Sequence, residues 1–209
     1  MLTSGQSHPF VGKWTVGYDK DGKLLAGDVQ LVCNGGSTIC CSDVVMDRGI
    51  AHFQNAYCFG QALRVVGRIA NTNLTGNTAF RGFGVPQSAL ICEGMMEAIA
   101  RSLQLSPEAV RAINLMQTGG RTHSGQLVRE CQLGRVWSEL QISAKVEARR
   151  SEVAQYNAAH KWSKRGIAVI PTMYGINFPL KRLNQVSCLT IAHHTDLVVF
   201  IQDSGGKSQ

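Results

Sequence analysis

The sequence lacks a long apolar run and a secretory leader. No stretch of about 18 consecutive apolar residues occurs, so we predict no membrane-spanning helix and no membrane partner. Residues 1–10, MLTSGQSHPF, contain no apolar h-region of the kind a signal peptide needs. Internal repeats, linkers and low-complexity segments are also missing, which favours a folded globular chain.

Closely spaced cysteine pairs of the metal-binding kind are absent as well. The seven cysteines form no CxxC pair and no cysteine/histidine cluster with zinc spacing, so no direct metal ligand is predicted. Most have apolar neighbours, as in Leu31-Val32-Cys33 and Leu90-Ile91-Cys92, which favours buried, reduced thiols. Because reduced thiols are typical of reducing compartments, we expect a cytoplasmic protein, with a peroxisomal location as the alternative.

Charge is sparse and moderately positive. The chain is 44% hydrophobic and 17% charged, and 21 Lys+Arg against 14 Asp+Glu give a formal charge of +7. This composition excludes a disordered chain and permits an anionic partner. The densest basic groups, at 148–150 and 161–165, follow helix-like stretches, so solvated helix faces are favoured and no nucleic-acid partner is expected.

Two weaker motifs near the end of the chain are rejected as sites. Gly206-Lys207-Ser208 resembles the end of a P-loop, but Ile201 stands where that motif needs glycine. The pair His193-His194 would point to opposite faces of a strand, so a shared metal is disfavoured.

The order of predicted elements is strands, then helices, then strands, which indicates an α+β fold. Hydrophobic spacing and turn residues predict these boundaries: a hairpin over 12–33, a helix over 43–53, a strand over 63–70, a helix over 87–103, a Ser106-capped helix to about 116, a helix over 133–157, and a strand-rich end from 166 with a hairpin over 189–201.

The stretch FRGFGVP, Phe80 to Pro86, is the most informative motif. Its Arg-Gly-Phe-Gly matches the start of an RNA-recognition strand signature, but Pro86 fits poorly inside a central strand. A glycine-containing loop before a helix suits an anion, Arg81 adds a fork of donors, and Phe83 offers a flat face to a ring. A purely structural turn, with Phe80 and Phe83 in the core, is the equal alternative.

The longer stretch NTAFRGFGVPQ, residues 77–87, resembles the NTAFRGFGGPQ motif of the xanthine dehydrogenase and aldehyde oxidase family, the molybdenum hydroxylases. Met46-Asp47-Arg48, Thr72-Asn73-Leu74 and Leu183-Asn184-Gln185 resemble further family motifs in the same order. Arg48 together with Thr78 is more similar to xanthine dehydrogenase than to aldehyde oxidase.

This resemblance implies an α+β fold that is a partial molybdenum-cofactor-binding domain of the xanthine dehydrogenase type. Residues 1–209 would form that partial molybdopterin-binding domain, with N-terminal and C-terminal continuations missing. The implied reaction oxidises purines, hypoxanthine and xanthine to urate, by attack of a molybdenum-bound hydroxyl and hydride transfer to a molybdenum sulfido group. The cofactor would be molybdenum-molybdopterin, with 2Fe-2S clusters and FAD bound outside this chain. Full-length family members are homodimers, and the partner would be a purine or related heterocycle.

Three site residues are implied by the resemblance. Arg81 would bind beside the molybdenum cofactor, and Phe83 would stack on the substrate. Arg48 would bind the purine and act as a catalytic residue by stabilising negative charge in the transition state.

The chain also departs from the family pattern. Val85 replaces a glycine, which would restrict the turn, and Pro179 replaces a substrate-contacting threonine. Because the GGTEMGQG stretch and the catalytic glutamate are absent, we expect the chain alone to be inactive. The alternative is a truncated, non-catalytic remnant that folds or binds a partner without turnover.

Overall fold

A three-stranded sheet forms the base of the fold in the computed structural model, which describes residues 5–59 and 62–174. The strands are β1 (Phe10–Tyr18), β2 (Leu24–Gly36) and β3 (Leu63–Asn71), in that spatial order. β1 and β2 form the predicted antiparallel hairpin, while β3 pairs parallel to β2. A parallel pair needs a crossover connection, and a helix occupies it here.

Five helices lie in the described part of the chain. They are α1 (Ser42–His52), α2 (Val85–Leu103), α3 (Pro107–Ile113), α4 (Leu133–Ser143) and α5 (Val146–Ala159). The helix α1 forms the crossover between β2 and β3. Ser106 caps α3 as predicted, since its side chain accepts a hydrogen bond from the Ala109 N–H. Strands and helices in this arrangement confirm the α+β prediction.

One face of the sheet is covered by α1 and α2, and the core lies between these layers. Val29, Leu31 and Cys33 alternate along β2 and are fully buried, whereas the intervening Gln30 and Val32 are exposed. The helix α2 contributes the fully buried Met95, Met96 and Ile99 to the same core. Each such side chain stabilises the fold by about 1.5–3 kcal/mol relative to its exposed state.

Several predicted boundaries are wrong. The single helix over 133–157 is two helices, because the chain turns at Lys145, whose φ of +49° interrupts the helical path. α2 begins at Val85, two residues earlier than predicted, and α3 ends at Ile113. Residues 166–174 form no strand. The predicted hairpin over 189–201, the His193-His194 pair, Pro179 and the tail motif lie outside the described residues.

The cysteine prediction holds only in part. Cys33 and Cys92 are buried, Cys40 is exposed, and the other three described cysteines (Cys41, Cys58 and Cys131) are half-buried. None of these six forms a disulfide. Within the described ranges, no helix is long and apolar enough to cross a membrane.

Candidate functional site

Arg48 is a buried cation in the middle of α1. Its exposed fraction is 4%, and its guanidinium carbon lies 5.2 Å from the centre of the Tyr174 ring. Burial lowers the pKa of Arg48, while the phenol of Tyr174 opposes this by charge and hydrogen bonding. Arginine nevertheless keeps its proton at physiological pH, so α1 holds a positive charge in a low-dielectric setting.

The FRGFGVP stretch is a tight turn followed by a helix, and not a strand. The Phe83 N–H donates to the Phe80 carbonyl at 2.9 Å, and the Val85 N–H donates to the Gly82 carbonyl at 3.1 Å. Three consecutive residues have positive φ: +96° at Gly82, +52° at Phe83 and +84° at Gly84. The RNA-recognition interpretation is therefore wrong, and the predicted glycine turn is confirmed.

Phe83 is held in a conformation that a bulky residue rarely adopts. A φ of +52° in a non-glycine residue costs about 1–3 kcal/mol, and the glycines on both sides make room for it. Such strain is typical of sites where a side chain must point in a set direction. Phe83 is half-buried, whereas Arg81 and Phe80 are exposed, so neither aromatic ring lies fully in the core.

The turn packs directly on α1, next to Arg48. A Cβ atom on Gly84 would collide with the carbonyl oxygen of Val45, and one on Gly49 would lie 3.4 Å from the Gly84 carbonyl oxygen. Val45 and Gly49 are four residues apart and share a helix face with the neighbouring Arg48. The fold thus brings the two predicted site segments together.

Val85 does not restrict the turn as expected from its replacement of glycine. It is the first residue of α2, has no positive φ, and its side chain is buried. The positions that require glycine geometry are Gly82 and Gly84, and both are retained.

Gln87, in the first turn of α2, is a candidate site residue that sequence reasoning did not single out. Its Nε2 donates to Ser7 Oγ at 2.8 Å and to the His8 carbonyl at 3.1 Å, which fixes the amide. Its Oε1 is buried and, within residues 5–59 and 62–174, has no hydrogen-bond partner. A buried acceptor without a donor is unusual and fits a ligand that brings an N–H group.

Two histidines, His52 and His123, lie in the same region as Arg48. His52, one turn further along α1, is buried, and burial together with the Arg48 charge lowers its pKa to about 4. The ring nitrogens of His123 lie 2.8 Å from Gln54 Oε1 and 2.9 Å from the Ile50 carbonyl. Burial lowers the pKa of His123, and its bond to Ile50 opposes this. Burial thus disfavours the charged form of both histidines, whereas Arg48 keeps its charge.

A buried polar cluster is centred on Glu93 of α2. Glu93 accepts from Arg111 Nε at 2.8 Å, from the Tyr57 hydroxyl at 2.7 Å and from Asn55 Nδ2 at 2.9 Å. Burial works to lower the pKa of Arg111, but the hydrogen bonds and charges of Glu93 and Tyr57 together raise that pKa. Burial and the Glu93 charge also raise the pKa of Tyr57. The charges of Arg111 and Glu93 are therefore paired within the cluster.

Asn55 extends this cluster to the segment that carries Tyr174. Its Nδ2 donates to the Pro171 carbonyl at 2.9 Å, and its Oδ1 accepts from the Met173 N–H at 3.1 Å. Two hydrogen bonds of one amide thus fix residues 171–173, immediately before the ring that lies near Arg48. Asn55 itself has a φ of +51°, which asparagine tolerates better than most residues.

Comparison with known proteins identifies the family of this chain. The model of the molybdopterin cofactor-binding domain matches residues 1–115, which include α1, the turn and α2. The chain belongs to the molybdopterin cofactor-binding domain family. It is 40% identical over 205 residues to the xanthine dehydrogenase of rice, Oryza sativa subsp. japonica, and 40% identical over 205 residues to the xanthine dehydrogenase/oxidase of Gallus gallus.

Each of these two matches covers 98% of this chain and 15% of the relative. The chain therefore spans about 15% of the length of the curated relatives it matches. Among solved structures, the aldehyde oxidoreductase of Desulfovibrio gigas superposes with a TM-score of 0.67 at 26% sequence identity, covering 72% of this chain and 16% of that one. These likenesses confirm the resemblance to xanthine dehydrogenases and aldehyde oxidoreductases and the fold that it implies.

The residues present fit a molybdopterin cofactor. The exposed guanidinium of Arg81 suits anionic oxygens, and the buried Oε1 of Gln87 suits an N–H group such as a pterin offers. Both belong to one short segment, with the turn at Gly82–Gly84 between them. The assignments of Arg81, Phe83 and Arg48 to individual roles stay predictions.

Proposed function

We propose that this chain is the part of a purine-oxidising molybdenum hydroxylase that binds one side of the substrate and of the cofactor. The observation that carries the proposal is the packing of the Gly82–Gly84 turn on α1 beside the buried Arg48. The two sequence relatives described above are a xanthine dehydrogenase and a xanthine dehydrogenase/oxidase, which supports a purine rather than an aldehyde as substrate.

Arg48 is the residue to which we assign transition-state stabilisation. Negative charge develops on a purine ring when a nucleophile attacks one of its carbons, and a fixed guanidinium lowers the energy of that state. The interaction is stronger in a buried site than in water, because the effective dielectric constant is lower. The Tyr174 ring beside the guanidinium limits its orientations.

Phe83 orients the flat heterocycle. Its strained backbone, held by Gly82 and Gly84, fixes the direction of the ring before a substrate arrives. An aromatic face of this kind prefers offset stacking against another ring, at about 0.5–1.5 kcal/mol beyond the burial of surface.

Arg81 and Gln87 are the residues that would hold the cofactor, by donation from the guanidinium and acceptance at Oε1. When bound, the molybdenum centre supplies the oxygen-transfer and hydride-accepting chemistry. The residues of this chain bind and orient the substrate. Arg48 places its positive charge beside the ring on which negative charge develops. The 2Fe-2S clusters, FAD and a homodimeric assembly belong to the same proposal for the whole protein.

A segment exchange tests the proposal. The chain replaces its aligned segment in the rice xanthine dehydrogenase, and xanthine turnover and bound molybdopterin are measured. We expect a chimera that binds molybdopterin and oxidises xanthine. Arg48→Ala should then lower kcat by about 10²–10³-fold, as for loss of one transition-state donor. Arg64→Ala is the matched control, since Arg64 is exposed and pairs with Asp28 at the surface.

Three outcomes are informative. A chimera that binds molybdopterin but oxidises no purine would support the alternative of a non-catalytic remnant. Equal loss of turnover in the Arg48 and Arg64 variants would contradict the role of Arg48. A chimera that oxidises aldehydes but not xanthine would place the segment with the aldehyde-oxidising relatives.

A further inference from the structure

Two adjacent cysteines precede α1 and have no role in the proposed function. Cys40 Sγ and Cys41 Sγ lie 3.8 Å apart, and both lie near Thr78 Oγ1, at 3.4 and 3.9 Å. Cys40 is exposed and has a φ of +44°, while Cys41 is half-buried.

The geometry disfavours a disulfide between these two residues. Consecutive Cα atoms are about 3.8 Å apart, whereas disulfide-bonded cysteines have Cα atoms about 4.4–6.8 Å apart. A single atom placed between the two sulfurs fits better. Two sulfur bonds of about 2.3 Å, the length of a zinc–thiolate bond, span the 3.8 Å gap with an angle of about 110°.

We propose that Cys40 and Cys41 form a chelating dithiol that binds the arsenic atom of a monosubstituted trivalent arsenical. The arsenical enters as R–As=O. Two S–As bonds form, the As=O bond breaks, and the oxygen leaves as water with the two thiol protons. No electrons are transferred, so no oxidant or reductant is needed.

The number of ligands favours an arsenical over a metal cation. A structural zinc-like ion needs about four ligands, and the described residues contain no group of three His, Cys, Asp or Glu side chains able to hold one. A monosubstituted arsenic needs only two thiolates beside its own carbon. Exposure of Cys40 leaves room for that substituent, and hydrogen bonds from Thr78 and Cys41 lower the pKa of the Cys40 thiol, which favours the reactive thiolate.

Binding at this dithiol would act on the neighbouring turn. Thr78, whose hydroxyl lies near both sulfurs, is separated from Phe80–Gly84 by Ala79 alone. Bonding of both sulfurs to arsenic removes the thiol protons and so changes their hydrogen bonding with Thr78 Oγ1. The inference itself does not depend on the proposed function, because the chelation chemistry needs only the two thiols.

The test uses phenylarsine oxide and the 209-residue chain, with intact-mass spectrometry in excess 2-mercaptoethanol, which removes arsenic held by single thiols. We expect one phenylarsenic per chain, released by 2,3-dimercaptopropanol. Cys40→Ser and Cys41→Ser should each weaken binding at least tenfold. Cys131→Ser, which alters a half-buried cysteine elsewhere, should change nothing. Circular dichroism verifies that each variant is folded.

Tandem mass spectrometry of the wild-type adduct locates the arsenic independently of any variant. Arsenic between Cys40 and Cys41 supports the proposal, and arsenic on other cysteines overturns it. Full binding by either serine variant, or no adduct on the folded wild-type chain, also overturns it. A parallel titration with Cd²⁺ distinguishes the ligand class, since binding of Cd²⁺ without phenylarsine oxide would mark a cation site instead.

Discussion

Arg111 and Glu93 form a buried ion pair that joins α3 to α2, with Arg111 Nε 2.8 Å from Glu93 Oε2. The two side chains are only 1% and 8% exposed. Removing one partner of such a pair leaves an uncompensated charge in a low-dielectric interior, which costs far more than the pair itself contributes. The pair is thus a sensitive point of the fold.

Glu93→Ala should lower the free energy of unfolding by about 3–5 kcal/mol, because it leaves the Arg111 charge buried without its closest partner. Glu97→Ala is the matched control. Glu97 is also near Arg111, at 3.4 Å, but its side chain is 48% exposed, so solvent screening limits the loss to about 1 kcal/mol or less. Urea unfolding of the wild type and of the two variants measures the difference in the free energy of unfolding. Losses of equal size in the two variants would contradict the buried pair's importance.

Gly84→Ala should destabilise the chain by at least about 2 kcal/mol. A φ of +84° alone costs an alanine roughly 1–2 kcal/mol, and the new Cβ would collide with the Val45 carbonyl oxygen. Gly94→Ala, within the helix α2 that follows the turn, should have the opposite effect. Its Cβ would meet nothing within 4 Å, so alanine should stabilise α2 by up to about 1 kcal/mol. Thermal unfolding compares the two, and a neutral Gly84→Ala would show that the turn does not pack on α1.

The turn and its neighbours show how far sequence reasoning reaches. The glycine spacing and Pro86 predict a turn before a helix, because both are local backbone effects. The same holds for the hairpin of β1 and β2, for β3 and for the Ser106 cap. The packing of Gly84 on Val45 is not predictable in this way, since it depends on the relative position of elements far apart in sequence.

The buried polar groups are what sequence reasoning missed. Glu93 has the sequence pattern of an ordinary helix-surface acid, and Asn55 that of a loop residue. Their roles arise because α2 and α3 meet and residues 171–173 fold back over Asn55. The break at Lys145 was missed for another reason, since lysine carries no sequence signal for a positive φ.

His52 should make the chain sensitive to acid. Its pKa is lowered from 6.5 to about 4 in the folded state, so the unfolded chain binds more protons between these values. The His52 contribution to the free energy of unfolding is complete above about pH 6.5. It is lost as the pH falls towards 4, by roughly 3 kcal/mol in total. Unfolding across this range should show a steeper pH dependence for wild type than for His52→Gln.

NMR titration gives a direct measurement of the His52 pKa. A His52 resonance that titrates near 6.5 in the folded chain would contradict the lowered pKa. His160→Gln, which alters an exposed histidine at the end of α5, is the control variant for the unfolding series.

Asn55→Ala should release residues 171–173 from the rest of the fold. It removes donors to Glu93 and Pro171 and the acceptor for the Met173 N–H, for a loss of about 2–3 kcal/mol. Asn55→Gly removes the same three hydrogen bonds but tolerates the φ of +51°, so it should retain about 1 kcal/mol more stability than alanine.

Hydrogen exchange at Met173 tests the connection from Asn55 to the site. If one amide fixes this segment, its exchange should rise at least tenfold in both Asn55 variants, even under conditions in which the core of α2 stays protected. Unchanged protection at Met173 would mean that other contacts hold the segment. Because Tyr174 follows directly and lies near Arg48, release of the segment should also free the guanidinium from its aromatic neighbour. Asn55 would then act on the candidate site through the chain it holds, without touching a substrate.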